Sequence, residues 1–172
     1  FNNFKKGVAF HDVVLEAQQQ GYTEPDPKID LSGIDVARKI LILARESGMR
    51  IELKEIENES FLPQESMDTQ DNKSFFESLV KHIGHFDKML ENAEKEGAKM
   101  KYVAQLEEGK AKVGIQLVKE GHDFYNLEGS DNIILFYTNR YKEQPLIVKG
   151  AGAGADVTAS GIFADIIRIG KQ

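Results

Sequence analysis

The residue pattern predicts an α+β domain, with a mainly antiparallel or mixed sheet covered by helices on one face. Three observations carry that expectation. Apolar residues recur at helical spacing through most of the chain up to Gly97. Beyond it they alternate on both sides of a Glu108-Gly109 turn, the spacing of a hairpin. The composition, 41% hydrophobic and 29% charged over 172 residues, supplies enough apolar surface for one core. Helices gathered before strands, rather than alternating with them, separate this class from the parallel α/β folds.

Taken in order, Val8, Phe10, Val13, Val14 and Ala17 share one face of a helix over 8–20, and Gly21 ends it in the left-handed region. Glu24-Pro25-Asp26-Pro27 follows. Its prolines fix φ and hold Glu24 and Asp26 extended, so a rigid loop without helix is expected as far as Ser32. Ser32 is the expected N-cap of the next helix, with Asp35 as a short capping-box acid. Val36, Ala37, Ile40, Leu41 and Leu43 then form the apolar run towards Gly48.

Ile51, Leu53 and Ile56 among charges predict a short half-buried strand over 50–57. Residues 58–71, polar and holding Pro63, read as a surface loop. Phe75, Leu79, Ile83, Phe86 and Leu90 predict helix over 72–97, interrupted at Gly84 as one bent element or two short ones. Tyr102, Ala104 and Leu106, then Val113, Ile115 and Leu117, make the hairpin, and 132–138 and 145–149 add two strands. Val157, Ile162, Phe163, Ile166 and Ile167 define a last amphipathic helix after the glycine-rich run at 150–154.

Composition also excludes functions. A net charge of −6 with lysines scattered among acids offers no clustered basic surface for nucleic acid. Without cysteine there is no disulfide, thiolate metal site or thiol nucleophile, so chemistry falls to carboxylates, amines, hydroxyls and histidines. No apolar run is long enough to span a bilayer and no signal-peptide pattern opens the chain, so a soluble, cytoplasmic protein is expected.

The chemistry-bearing stretch is 21–39, GYTEPDPKIDLSGIDVARK. Asp35 and Lys39 lie four apart on one helix face, and Glu24 and Asp30 arrive from the loop before it. Lys39 placed by Asp35 has the makings of a proton-handling or oxygen-polarising group, with Glu24 or Asp30 holding a cationic part of a substrate. The plainer reading is an exposed ion pair at an acid-rich helix start, worth about 0.3–0.5 kcal/mol.

The run Gly21-Tyr22-Thr23-Glu24-Pro25-Asp26-Pro27, with Asp30-Leu31, Gly33, Asp35 and Lys39, resembles the signature segment of homoserine dehydrogenases. Its EPDP and DVARK forms are similar to those of the bifunctional aspartokinase/homoserine dehydrogenases and the fungal enzymes, and a weaker likeness runs from Val8 to the C-terminus. The resemblance implies hydride exchange between homoserine and aspartate semialdehyde with NAD or NADP. It makes Lys39 the acid/base or oxygen-polarising residue and has Asp35 and Glu24 bind the substrate's amino and hydroxyl ends. Asp30 would orient Lys39, and Tyr22 would line the pocket. It further implies that 1–149 is a substrate-binding and dimerisation domain lacking its dinucleotide-binding partner, inactive alone. Residues 150–172 would then be a turn and closing helix that pack on that partner, with Gly154 beside the cofactor.

Other candidates are weaker. Gly150, Gly152 and Ala155 satisfy a dinucleotide-binding fingerprint formally, without the second strand and acidic residue that the fold needs. His82 and His85 are spaced as metal ligands but lack a third. Glu24 and Asp35 could in principle serve as a glycosidase pair, but the chain has no tryptophan, the usual sugar-stacking side chain, which weakens that reading. The competing class is a non-catalytic dimerisation module built on the strands.

Overall fold

The computed structural model describes residues 1–129, 131–152 and 154–171, which form two compact units, Phe1–Glu120 and Gly121–Gln172. The first unit contains α1 (Phe10–Gln19), α2 (Pro27–Leu31), α3 (Ile34–Glu46), β1 (Glu57–Asn58), α4 (Gln64–Met67), α5 (Asn72–Lys81), α6 (Ile83–Lys95), β2 (Ala98–Glu107) and β3 (Lys110–Lys119). Its sheet is mixed, in the order β1-β3-β2, with β1 parallel and β2 antiparallel to β3. At the hairpin turn Glu108 and Gly109 both have positive φ, 48° and 81°, the type I′ geometry that matches strand twist.

Alternation along β2 sends Met100, Tyr102, Ala104 and Leu106 to one face, and the helices cover that face as expected. Two clusters meet there. Phe10 and Val14 of α1, Phe75 and Leu79 of α5 and Phe86 of α6 form the larger one, with the Phe10 and Phe86 rings stacked at 4.4 Å. Ala37, Ile40 and Ala44 of α3 pack with Ile51, Ile56, Ala111 and Val113 in the other. Tyr102 touches both, so the ring sits at the seam.

Several expectations change. The EPDP stretch does not stay free of helix: Pro27 occupies the first turn of α2, where its missing N–H costs nothing, and the Asp26 side chain caps that turn by accepting from Lys28 N. Ser32 therefore ends α2 and does not cap α3. The residue before α3 is Gly33, at φ 81°. The expected strand at 50–57 is mostly a 3-10 turn at Leu53–Glu55, leaving only Glu57–Asn58 to pair. Residues 58–71 are not a surface loop, because Phe61, Leu62 and Ser66 are buried and α4 forms among them. The break in 72–97 falls at His82 instead of Gly84, producing two helices, with Asp71 and Ser74 closing a capping box on α5.

The second unit pairs β4 (Asp131–Phe136) antiparallel with β5 (Leu146–Ala151), and α7 (Ala155–Gly170) follows Gly154 at φ 130°. Ile162, Phe163, Ile166 and Ile169 of α7 are exposed, and the helix buries no residue. No helix among the described residues is long and apolar enough to cross a membrane.

Candidate functional site

Gly21, at φ 74°, turns the chain out of α1, and the 22–39 segment is then tied down from several sides. The Pro25 carbonyl accepts from Asn72 Nδ2 at 2.7 Å and from Gln18 Nε2 at 3.3 Å. Lys28 donates its ammonium to the Thr69 carbonyl. Asn58 Nδ2 donates to the Ser32 carbonyl at 2.8 Å. These anchors come from α1, α5, β1 and the turn before α5, so the loop's shape is imposed by parts of the chain distant in sequence.

On that frame Asp35 Oδ2 lies 2.7 Å from Lys39 Nζ, one turn apart on α3. The pair is open to solvent, Lys39 at 63% and Asp35 at 43% of side-chain surface, and its ammonium can reach an incoming oxygen without breaking a buried contact. Asp30 has a different partner: its Oδ2 accepts from the Glu24 backbone N–H at 2.9 Å, and no bond joins it to Lys39. The Glu24 carboxylate is exposed and has no hydrogen-bond or ion-pair partner among the described residues. Tyr22 is 70% exposed. The segment is thus pre-shaped by its backbone, with Asp30 bonded to that backbone, Asp35 and Lys39 paired with each other, and the Glu24 and Tyr22 side chains exposed.

The expected residues fall into two pairs, Glu24 with Asp30 and Asp35 with Lys39. A depression of ≈ 350 Å³ is lined by Lys28, Ile29, Ser32, Ile34, Asn58 and Met67 and by none of them. Gly154 lies in the second unit. A β-carbon there would meet nothing within 4 Å, so its backbone is open to close approach at the N-terminus of α7. Among the described residues there is no group of three His, Asp or Glu that could hold a metal. His82 Nδ1 lies 2.9 Å from the Ser78 carbonyl and His85 Nε2 2.8 Å from that of Phe61, so the two histidines have backbone partners.

Sequence reasoning passed over Asn58 and Tyr102. The Tyr102 phenol, pushed above its usual pKa range by burial, lies 3.4 Å from Asn58 Oδ1, directly over Gly33. The one local hint was a glycine at a helix start where Ser32 already offered a cap.

The fold and site together define an α+β domain that presents an amine-carboxylate pair on a helix, fed by an anchored acidic loop. The comparisons make it specific. The homoserine dehydrogenase family model matches residues 1–167, and the chain belongs to that family. It is 47% identical over 171 residues to a maize (Zea mays) protein named bifunctional aspartokinase/homoserine dehydrogenase 2, chloroplastic, covering 98% of this chain and 19% of that one. It is 43% identical to the homoserine dehydrogenase of Schizosaccharomyces pombe, covering 99% of this chain and 46% of the relative. A hyperthermophilic archaeal homoserine dehydrogenase solved in complex with NADPH has 27% identity and a TM-score of 0.63, covering 95% of this chain and 40% of that one. The chain therefore spans between about a fifth and about a half of these relatives' length.

Proposed function

We propose that this chain is the substrate-binding and catalytic part of a homoserine dehydrogenase that interconverts L-homoserine and L-aspartate 4-semialdehyde. The observation that carries this is the 2.7 Å Asp35–Lys39 pair beside an anchored acidic loop, in the stretch that resembles the family's signature segment, within a chain that the family model matches over residues 1–167. A nicotinamide cofactor, NAD or NADP, supplies or accepts the hydride. The chain's own residues do the rest. Lys39 would exchange a proton with the reacting oxygen, giving it to the aldehyde oxygen on reduction and accepting it from the hydroxyl on oxidation. Asp35 holds Nζ at that oxygen and offsets the positive charge. Glu24, whose carboxylate has no partner among the described residues, binds the substrate's ammonium, with Tyr22 lining the pocket. Asp30 acts on Glu24, fixing its backbone, in place of the direct hold on Lys39 first expected.

Towards the cofactor, the residue that fits is Gly154. Its open backbone at the start of a 16-residue helix offers N–H donors to an anionic group and no side chain to block it. Residues 150–172 are proposed as the segment that meets a dinucleotide-binding lobe, and 1–149 as the substrate and dimer domain. The exposed apolar residues of β5, Leu146, Ile147 and Val148, support a homodimer through this sheet. The cysteine-free composition suits a reducing compartment, the cytoplasm in the simplest case.

The test is hydride transfer by the full-length protein, followed as NADH or NADPH absorbance with homoserine as substrate. Homoserine-dependent turnover is expected, and none with either cofactor would refute the reading. The 172-residue chain alone should bind neither cofactor at micromolar level by calorimetry. Light scattering at tens of micromolar should find a dimer.

A further inference from the structure

The junction between α2 and α3 is held by two residues outside the signature segment. Ser32 closes α2 and Gly33 opens α3 in the left-handed region. The Ser32 carbonyl takes its hydrogen bond from Asn58 Nδ2 at 2.8 Å. A β-carbon on Gly33 would lie 2.0 Å from the Tyr102 hydroxyl oxygen and 2.6 Å from Asn58 Oδ1, so the glycine is pressed against both. Asn58 is set by its β1 register opposite Val113 of β3, and Tyr102 by β2 and the two core clusters. Asn58 is itself exposed and belongs to neither cluster, so its one evident task is at this junction.

The junction is the root of the helix that carries Asp35 and Lys39, one residue before its first turn. Any rotation there swings Lys39 Nζ on a lever of more than one helical turn. We infer that Asn58 is a positioning residue for Lys39: its amide locks the α2–α3 angle and thereby aims the amine at the reacting oxygen. This rests on the proposed role of Lys39 as the proton-handling group.

The experiment is a double-mutant cycle in the full-length protein. Asn58→Asp keeps the side chain's shape and replaces the donor with an acceptor facing the Ser32 carbonyl. Asn58→Ala removes the contact outright and decides the matter if the first variant does not fold. Each is combined with Lys39→Ala, with melting temperatures measured alongside. Because small misplacements of a reacting group cost up to about a hundredfold, kcat should fall roughly ten- to a hundredfold, with KM for homoserine changing less. In the Lys39→Ala background the Asn58 substitutions should add nothing, since their effect runs through the missing amine. Wild-type kcat in both folded Asn58 variants, with Lys39→Ala inactive, overturns the positioning role alone. Equal losses in the two backgrounds overturn it as well. An active Lys39→Ala overturns the site reading and this inference together.

Discussion

Lys39→Ala in the full-length protein separates chemistry from architecture, because the structure sets the two expectations far apart. Lys39 is 63% exposed, touches Asp35 at 2.7 Å and packs into no cluster. An i,i+4 pair in that setting contributes a few tenths of a kcal/mol, and alanine returns part of it through better helix propensity. The expected change in melting temperature is under about 2 °C for a chain of this size. If Lys39 instead handles the proton, turnover loses the whole contribution of a positioned acid/base group, at least about a hundredfold in kcat. Steady-state kinetics with circular dichroism on the purified variant reads both. A folded Lys39→Ala protein keeping more than about a tenth of wild-type kcat would refute the mechanism, since that loss lies well below the acid/base range.

Three further outcomes follow from the geometry. Glu24→Gln should raise KM for homoserine more than it lowers kcat, if the carboxylate holds the substrate ammonium equally in ground and transition states; steady-state kinetics decides. Gly33→Ala should destabilise by at least about 1–3 kcal/mol in urea unfolding, since φ is 81° and the new β-carbon lies 2.0 Å from the Tyr102 hydroxyl oxygen, and Tyr102→Phe should restore part of the loss. Hydrogen bonds from the Ser74 backbone and hydroxyl hold the Asp71 carboxyl below the usual carboxylate range. A carboxyl lowered in the folded state stabilises above its unfolded pKa, about 3.9, and loses that contribution as pH falls through the folded value. The stability gap between wild type and Asp71→Ala should therefore be full at neutral pH and close progressively below about pH 4, as measured by urea unfolding across that range.

What was legible in the sequence was local. The hairpin register followed from alternation and one Glu-Gly turn, and the helical spacing of Phe75, Leu79 and Phe86 reports the face that packs inward. The errors arose where tertiary contact overrode propensity. Prolines at 25 and 27 argued for loop, yet Pro27 suits a helix's first turn once Asp26 caps it. Polar residues around Pro63 argued for surface, yet Phe61 and Leu62 carry the segment into the core and the Ser66 and Ser78 hydroxyls satisfy each other at 2.8 Å. The charges of the candidate site were visible at helical spacing. Its supports were not, because Asn58, Asn72 and Tyr102 act across separations of 26 to 47 positions along the chain and leave no local trace.

The double hold on the Pro25 carbonyl divides the surface into a frame and the tools mounted on it. The Pro25 carbonyl is committed to Gln18 and Asn72, the Ser32 carbonyl to Asn58 and the Lys28 ammonium to the Thr69 carbonyl, whereas the side chains of Tyr22, Glu24 and Lys39 project from the stretch with no bond that the fold requires. Transplanted into another scaffold, the nineteen residues would arrive without their fixings and lose their shape. Kept in place, they form a mount on which the projecting side chains can be exchanged one at a time at little cost in stability. If Tyr22 and Glu24 face the substrate as proposed, substitutions there change what is bound without loosening the frame, which depends on Gln18, Asn58 and Asn72.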